Sequence, residues 1–218
     1  MKYFSEQESK NIKSILNKKR VAKYSFDLVL NENFEKLKKS DSNLLSRIFE
    51  DLSELVDNLN YQIKRKSRNE QNKYFLPKII FDNKEENNEI TIYGVPLGYQ
   101  FGTFLESVDI FFNKNIYEFS EKLINKIKKI NESITITVFV EKNCEFSPYA
   151  VLFAVKAAAV NKRISVEIFN IEDVTFFKRE LGIEGIPTTI IGDKYSFLGI
   201  QNDETLIQII DEVINKCK

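Results

Sequence analysis

The chain contains no histidine, and only two of its 218 residues, Cys144 and Cys217, are cysteine. Without histidine, zinc and haem lose their usual ligands, so metal chemistry is disfavoured apart from carboxylate-bound ions. Two cysteines so far apart in sequence do not make a disulfide framework. A charge excess of either sign is also missing: lysine plus arginine and aspartate plus glutamate number 32 each. A balanced chain does not draw phosphate backbones or anionic membranes, so neither nucleic acid nor membrane is expected as a partner. No apolar run approaches the roughly 20 residues of a membrane helix, and the opening "MKYFSEQESKNIKSILNKKR" has no signal-peptide core. A cytoplasmic location is the expectation.

The remaining composition is that of a folded protein. A hydrophobic content of 43% fills the core of one large domain or of two smaller ones. The order of elements favours two, because the chain repeats itself. A polar helix pattern over 6–20 leads into the strand-like "KYSFDLVL", and a similar pattern over 117–131 leads into "SITITVFV". "NFEKL" follows the first strand and "NCEFS" the second, 110 positions apart. "LPKIIF" and "IPTTII", opening at Pro77 and Pro187, are also 110 apart. Each half reads as helix, strand, helix, strand, short helix, Pro-initiated strand, strand, helix. Strand–helix–strand units give parallel pairs, while the few residues "GDK" between the last two strands require an antiparallel hairpin. The fold class expected is α/β, with a mixed sheet flanked by helices on both faces in each of two domains, 1–114 and 115–218.

"NCEFSPYA", followed about forty residues later by "LGIEGIPTTII", resembles the thioredoxin superfamily. The duplicated layout is similar to the tandem glutaredoxin-like protein disulfide oxidoreductases, and secondarily to the N-terminal redox domain of alkyl hydroperoxide reductase flavoproteins. "IYGVPLGYQFGTFLE" looks like the end of the first domain in the tandem family. The resemblance implies a catalytic set of Cys144, Ser147 and Pro187, with Ile186, Phe146 and Pro148 lining a bound substrate segment. It also implies cis geometry at Pro187 and at Pro77, protein disulfides or thiols as substrates, and a reductase as a further partner. No resident cofactor is expected; glutathione or another low-molecular-weight thiol is the candidate co-substrate.

The chain departs from the pattern. The second motif is Cys144-Glu145-Phe146-Ser147, without the resolving sulfur. In the first half Phe34 and Leu37 occupy the matching positions, so this domain is degenerate, and its segment after "YQIKRKS" is trimmed to about one helical turn. At a helix N-terminus the free amides favour a thiolate at Cys144, and Ser147, at i+3, is placed to donate its hydroxyl to that sulfur. Glu141 and Glu145 oppose the thiolate, and Lys142 favours it. With one thiol at the corner, exchange leaves a mixed disulfide that only an outside thiol releases. Cys217 is expected about 20 Å down the final helix, beyond the ~7 Å Cα separation a disulfide tolerates. Two functions fit: a monothiol disulfide oxidoreductase acting through Cys144, or a non-catalytic binding protein that keeps the peptide-docking groove. A plain structural cysteine and ordinary edge-strand prolines are the bland counterparts of both. The lysine-rich "NKIKKIN" and "IKRKSRNE" are solvated faces, and "FLESVDIFFNKNIYEF" is helix core and domain interface.

Overall fold

Strand-forming residues alternate in both halves of the chain, and each half builds the same arrangement of strands. The computed structural model describes residues 3–16, 23–36, 39–67, 76–83, 88–114, 119–171, 181–192 and 195–216. Along the first half run α1 (Glu6–Leu16), β1 (Tyr24–Asn31), α2 (Asp41–Leu55), β2 (Leu59–Lys66), β3 (Lys78–Asn83), β4 (Asn88–Tyr93) and α3 (Tyr99–Asn113). The second half has α4 (Glu121–Ile127), β5 (Ile134–Val140), α5 (Ser147–Val160), β6 (Ile164–Asn170), β7 (Thr188–Ile191), β8 (Tyr195–Leu198) and α6 (Asp203–Lys216).

The strands form one eight-stranded mixed sheet in the order β2-β1-β3-β4-β6-β5-β7-β8. The series β2-β1-β3-β4 and β6-β5-β7-β8 have the same sense, a parallel pair followed by two antiparallel pairs. Register repeats too: Val29 faces Lys78 and Phe139 faces Thr188, each partner shifted by 110 positions. Where the sequence suggested a sheet in each half, β4 and β6 pair in parallel from Ile90↔Val166 to Tyr93↔Phe169 and make the sheet continuous. The physical reason is at the edges. Left apart, β4 and β6 would each present a row of unpaired amides and carbonyls.

The alternation of apolar residues sends Tyr24, Phe26, Leu28 and Leu30 of β1 and Ile136, Val138 and Val140 of β5 into one core. All six described helices contribute to that core. They pack side by side in the order α2, α1, α3, α5, α4, α6. The central helix α5, "SPYAVLFAVKAAAV", is apolar around most of its circumference because it packs against α3, α4, β5 and β6. Buried Phe104, Val108 and Phe111 of α3 face the same core, as expected for the aromatic stretch. Each large apolar side chain buried in this way stabilises the fold by about 1.5–3 kcal/mol relative to exposure. On the other face of the sheet, the rings of Tyr93 and Phe169 stack at 4.2 Å across the β4–β6 seam, and Phe139 stacks on Phe169 at 5.1 Å. Only the last two residues of the short helix expected over 173–182 are described, and the trimmed segment over 68–73 and Cys217 lie outside the described residues. Among the described residues no helix is long and apolar enough to cross a membrane.

Candidate functional site

Strand β5 delivers the chain to a turn in which Cys144 N donates to Glu141 O at 3.2 Å. Helix α5 begins at Ser147 with Phe146 as its N-cap and Pro148 in its first turn, where the missing N–H costs nothing because that turn has no intrahelical acceptors. Cys144 is therefore two residues ahead of the cap, half-buried, at the mouth of the helix rather than within it. Its Sγ lies 3.9 Å from Ile186 O, in the loop that leads into β7. The sequence-predicted residues Cys144, Ile186 and Pro187 thus converge from segments more than forty positions apart.

The loop around Pro187 is braced on both sides. Thr188 Oγ1 donates to Gly185 O at 2.6 Å, and Gly199 N donates to Pro187 O at 2.7 Å. The Ile186–Pro187 and Leu76–Pro77 peptide bonds are both cis. In the first half Gly94 N donates to Pro77 O at 2.8 Å, so each Pro-initiated hairpin closes on a glycine of positive φ.

Ser147 corrects the expectation placed on it. Its side chain is fully buried, and Oγ has no hydrogen-bond partner, so it does not donate to the Cys144 sulfur. The spacing i+3 is right for a neighbour along a helix, but Ser147 is buried at the start of α5 without a hydrogen bond to the sulfur. Phe146 behaves differently, with half of its surface in solvent. Pro148 is half-buried beside it.

Several side chains at this corner carry no signature in the sequence. Eight large apolar side chains are exposed among the described residues. Phe146 and Tyr149 at the start of α5, and Leu181, Leu198 and Ile200 on the segments flanking the Pro187 loop, make up five of them. Tyr99 is a sixth, and its amide donates to Lys142 O at 3.0 Å, two residues before Cys144. Next to Tyr149 a cleft of about 150 Å³ opens between α5 and the Gly199–Gln201 turn, lined by Phe119, Phe153, Phe197 and Ile200. Exposed apolar surface gathered at one corner marks a place where another molecule docks.

The matching turn of the first half has no thiol. Phe34 N donates to Asn31 O at 3.1 Å, in the same turn as Cys144 and Glu141, but the Phe34 ring is buried and lies 5.0 Å from the Arg65 guanidinium. Arg65 forms a two-pronged ion pair with Glu35, which holds that carboxyl below its ordinary value. Leu37, opposite Ser147, is outside the described residues.

Comparison with known proteins agrees with this geometry. Residues 134–211 match the thioredoxin domain family. No curated protein sequence matches the chain. Among solved structures, the NTD_N/C domain of alkylhydroperoxide reductase AhpF from Enterococcus faecalis is similar, with a TM-score of 0.76 and 17% identity over 95% of this chain and 100% of that one. A protein disulfide oxidoreductase from Aeropyrum pernix is similar with a TM-score of 0.66 and 18% identity, over 97% of this chain and 94% of that one. A protein of Sulfolobus solfataricus gives 0.63 and 17%, over 85% and 96%. Residues 134–211 thus match the thioredoxin domain family, and the fold of the whole chain is similar to those of the three solved structures.

Proposed function

We propose that the chain is two tandem thioredoxin-like units, 1–114 and 115–218, and that the second carries out monothiol–disulfide exchange through Cys144. The observation that carries this reading is a half-exposed thiol against the Ile186 carbonyl, with a collar of exposed apolar side chains contributed by the segments that flank both. The apolar collar favours an extended segment of a protein substrate over a small polar one, with the backbone of Ile186 as its pairing edge. Phe146 and Pro148 border that segment, and Pro187 shapes the loop beneath it.

The chemistry balances with one protein sulfur. The Cys144 thiolate attacks a substrate disulfide R–S–S–R′, the new bond joins Cys144 to RS, and R′S⁻ leaves with the electron pair of the broken bond and takes a proton from water. A second, external thiol such as glutathione then attacks the mixed disulfide and frees Cys144. Ser147 takes no part in these steps. No resident cofactor is needed. A reducing compartment such as the cytosol supplies the external thiol, and a reductase partner regenerates it. A non-catalytic peptide-binding role is the second reading, supported by the same collar together with the replacement of the first-half nucleophile by Phe34.

Incubation with a small aromatic disulfide, followed by intact mass and peptide mapping, separates the two readings. Exchange requires one adduct on Cys144, retained in Cys217→Ala and released by glutathione. No adduct at Cys144 under conditions that modify a free thiol peptide removes the enzymatic reading and leaves the binding one. Efficient dithiol turnover in Cys217→Ala would overturn the monothiol assignment.

A further inference from the structure

The thiol-bearing turn is held by the half of the chain that has no thiol. Two successive carbonyls upstream of Cys144 accept hydrogen bonds from the first turn of α3: Tyr99 N donates to Lys142 O at 3.0 Å, and Gln100 Nε2 donates to Glu141 O at 3.1 Å. Glu141 O also accepts Cys144 N, so its two lone pairs join the α3 side chain and the nucleophile's own amide at one atom. Gln100 is 3% exposed, which leaves no water to replace it as donor.

Gly98 makes this approach possible. Its φ of 58° and ψ of −130° lie in a region essentially reserved for glycine. A Cβ there would be 2.4 Å from Lys142 O, inside any real contact distance. The matching turn of the first half is held instead from its own β2, where Arg65 donates to Glu32 O at 3.3 Å and pairs with Glu35. The first-half turn is braced from within, and the thiol turn from its neighbour.

We propose that the start of α3 is a clamp that fixes the position of the Cys144 thiol, with Gly98 and Gln100 as positioning residues. This rests on Cys144 being the reactive thiol of the chain. A Cβ at residue 98 forces the 141–144 turn away from α3 and so shifts Sγ relative to Ile186 O. Loss of the Gln100 donor frees the Glu141 carbonyl and loosens the same turn.

The test uses the full chain carrying Cys217→Ala and reads the rate and pH profile of Cys144 alkylation by iodoacetamide. Gly98→Ala and Gln100→Met should change the rate by about threefold or more and displace the pH profile. Gly102→Ala, in α3 with open space around it, and Gly192→Ala, strained by a φ of 59° but with no neighbour within 4 Å, should leave both unchanged. Gly192→Ala controls for destabilisation alone. The clamp is refuted if Gly98→Ala, folded by circular dichroism, alkylates as the parent does, or if Gly192→Ala shifts the profile as far. Should Gly98→Ala fail to fold, Gln100→Met decides by the same criterion. Alkylation needs no substrate disulfide, so a failure of exchange and a failure of the clamp give different results.

Discussion

Phe34 and Cys144 close the same backbone turn, with N–H···O distances of 3.1 Å and 3.2 Å to the residue three positions earlier. One turn ends in a buried ring under an Arg65–Glu35 pair; the other ends in a half-exposed thiol facing the Pro187 loop. The difference shows that the turn forms with or without a cysteine. Sheet register and hairpin closure are retained in both halves, while the side chain at one position decides whether the corner buries a ring or presents a thiol.

Substitution at the two equivalent positions breaks the comparison most sharply. In a Cys217→Ala background, Cys144→Ala should abolish mixed-disulfide formation while costing under about 1 kcal/mol, because a half-buried thiol leaves little cavity. Phe34→Ala should do the reverse, costing about 3 kcal/mol by denaturant unfolding while Cys144 still reacts. A large stability loss in Cys144→Ala would mean that its sulfur is core packing.

Ser147 sharpens the comparison further. Because its buried hydroxyl is unpartnered, Ser147→Ala should stabilise the chain by up to about 1 kcal/mol and leave Cys144 alkylation as it was. Slower alkylation would restore the hydroxyl to a role the geometry denies it. Ser147→Cys should supply a resolving sulfur and give an intramolecular disulfide with Cys144, detectable by mass after mild oxidation.

The smallest effect is at the seam between the halves. Burial, then the charge of Glu167, then the hydrogen bond to Glu167 raise the Tyr93 hydroxyl above its ordinary value. The folded state therefore keeps this proton where the unfolded chain loses it, above about pH 10. The stability it contributes is full below that pH and is lost as pH rises toward the folded value. Tyr93→Phe should cost about 1 kcal/mol at pH 7 by loss of the 2.9 Å bond to Glu167, and the cost should shrink at pH 11. Parallel pH dependence in both proteins would remove Tyr93 from the alkaline limb.

The 110-residue shift was legible in the sequence because Pro77 and Pro187 open strands at matching points, and strand register preserves the shift from Val29↔Lys78 to Phe139↔Thr188. Cys144, Ile186 and Pro187 were legible as one site through a different signal, the resemblance of "NCEFSPYA" and "LGIEGIPTTII" to the thioredoxin superfamily. The burial of Ser147 was not, since it follows from how α5 packs against its neighbours and not from spacing along the chain. Nor was the pairing of β4 with β6, because nothing in "EITIY" or "ISVEIFN" names which strand will lie beside it. The grip of Gly98 on Lys142 was equally hidden. Glycine in "VPLGYQ" signals a permissive backbone but not what approaches it.

The β4–β6 ladder, reinforced by Asn88 Nδ2 donating to Ala158 O at 2.9 Å, also sets how the chain melts. A fragment starting at residue 115 would lose the α3 contacts to its thiol turn and expose the flank of β6 from Val166 to Phe169 as a sticky strand, open to any other chain with a free edge. Heating the intact protein should give one cooperative transition rather than two, since neither half can come apart without uncovering the other.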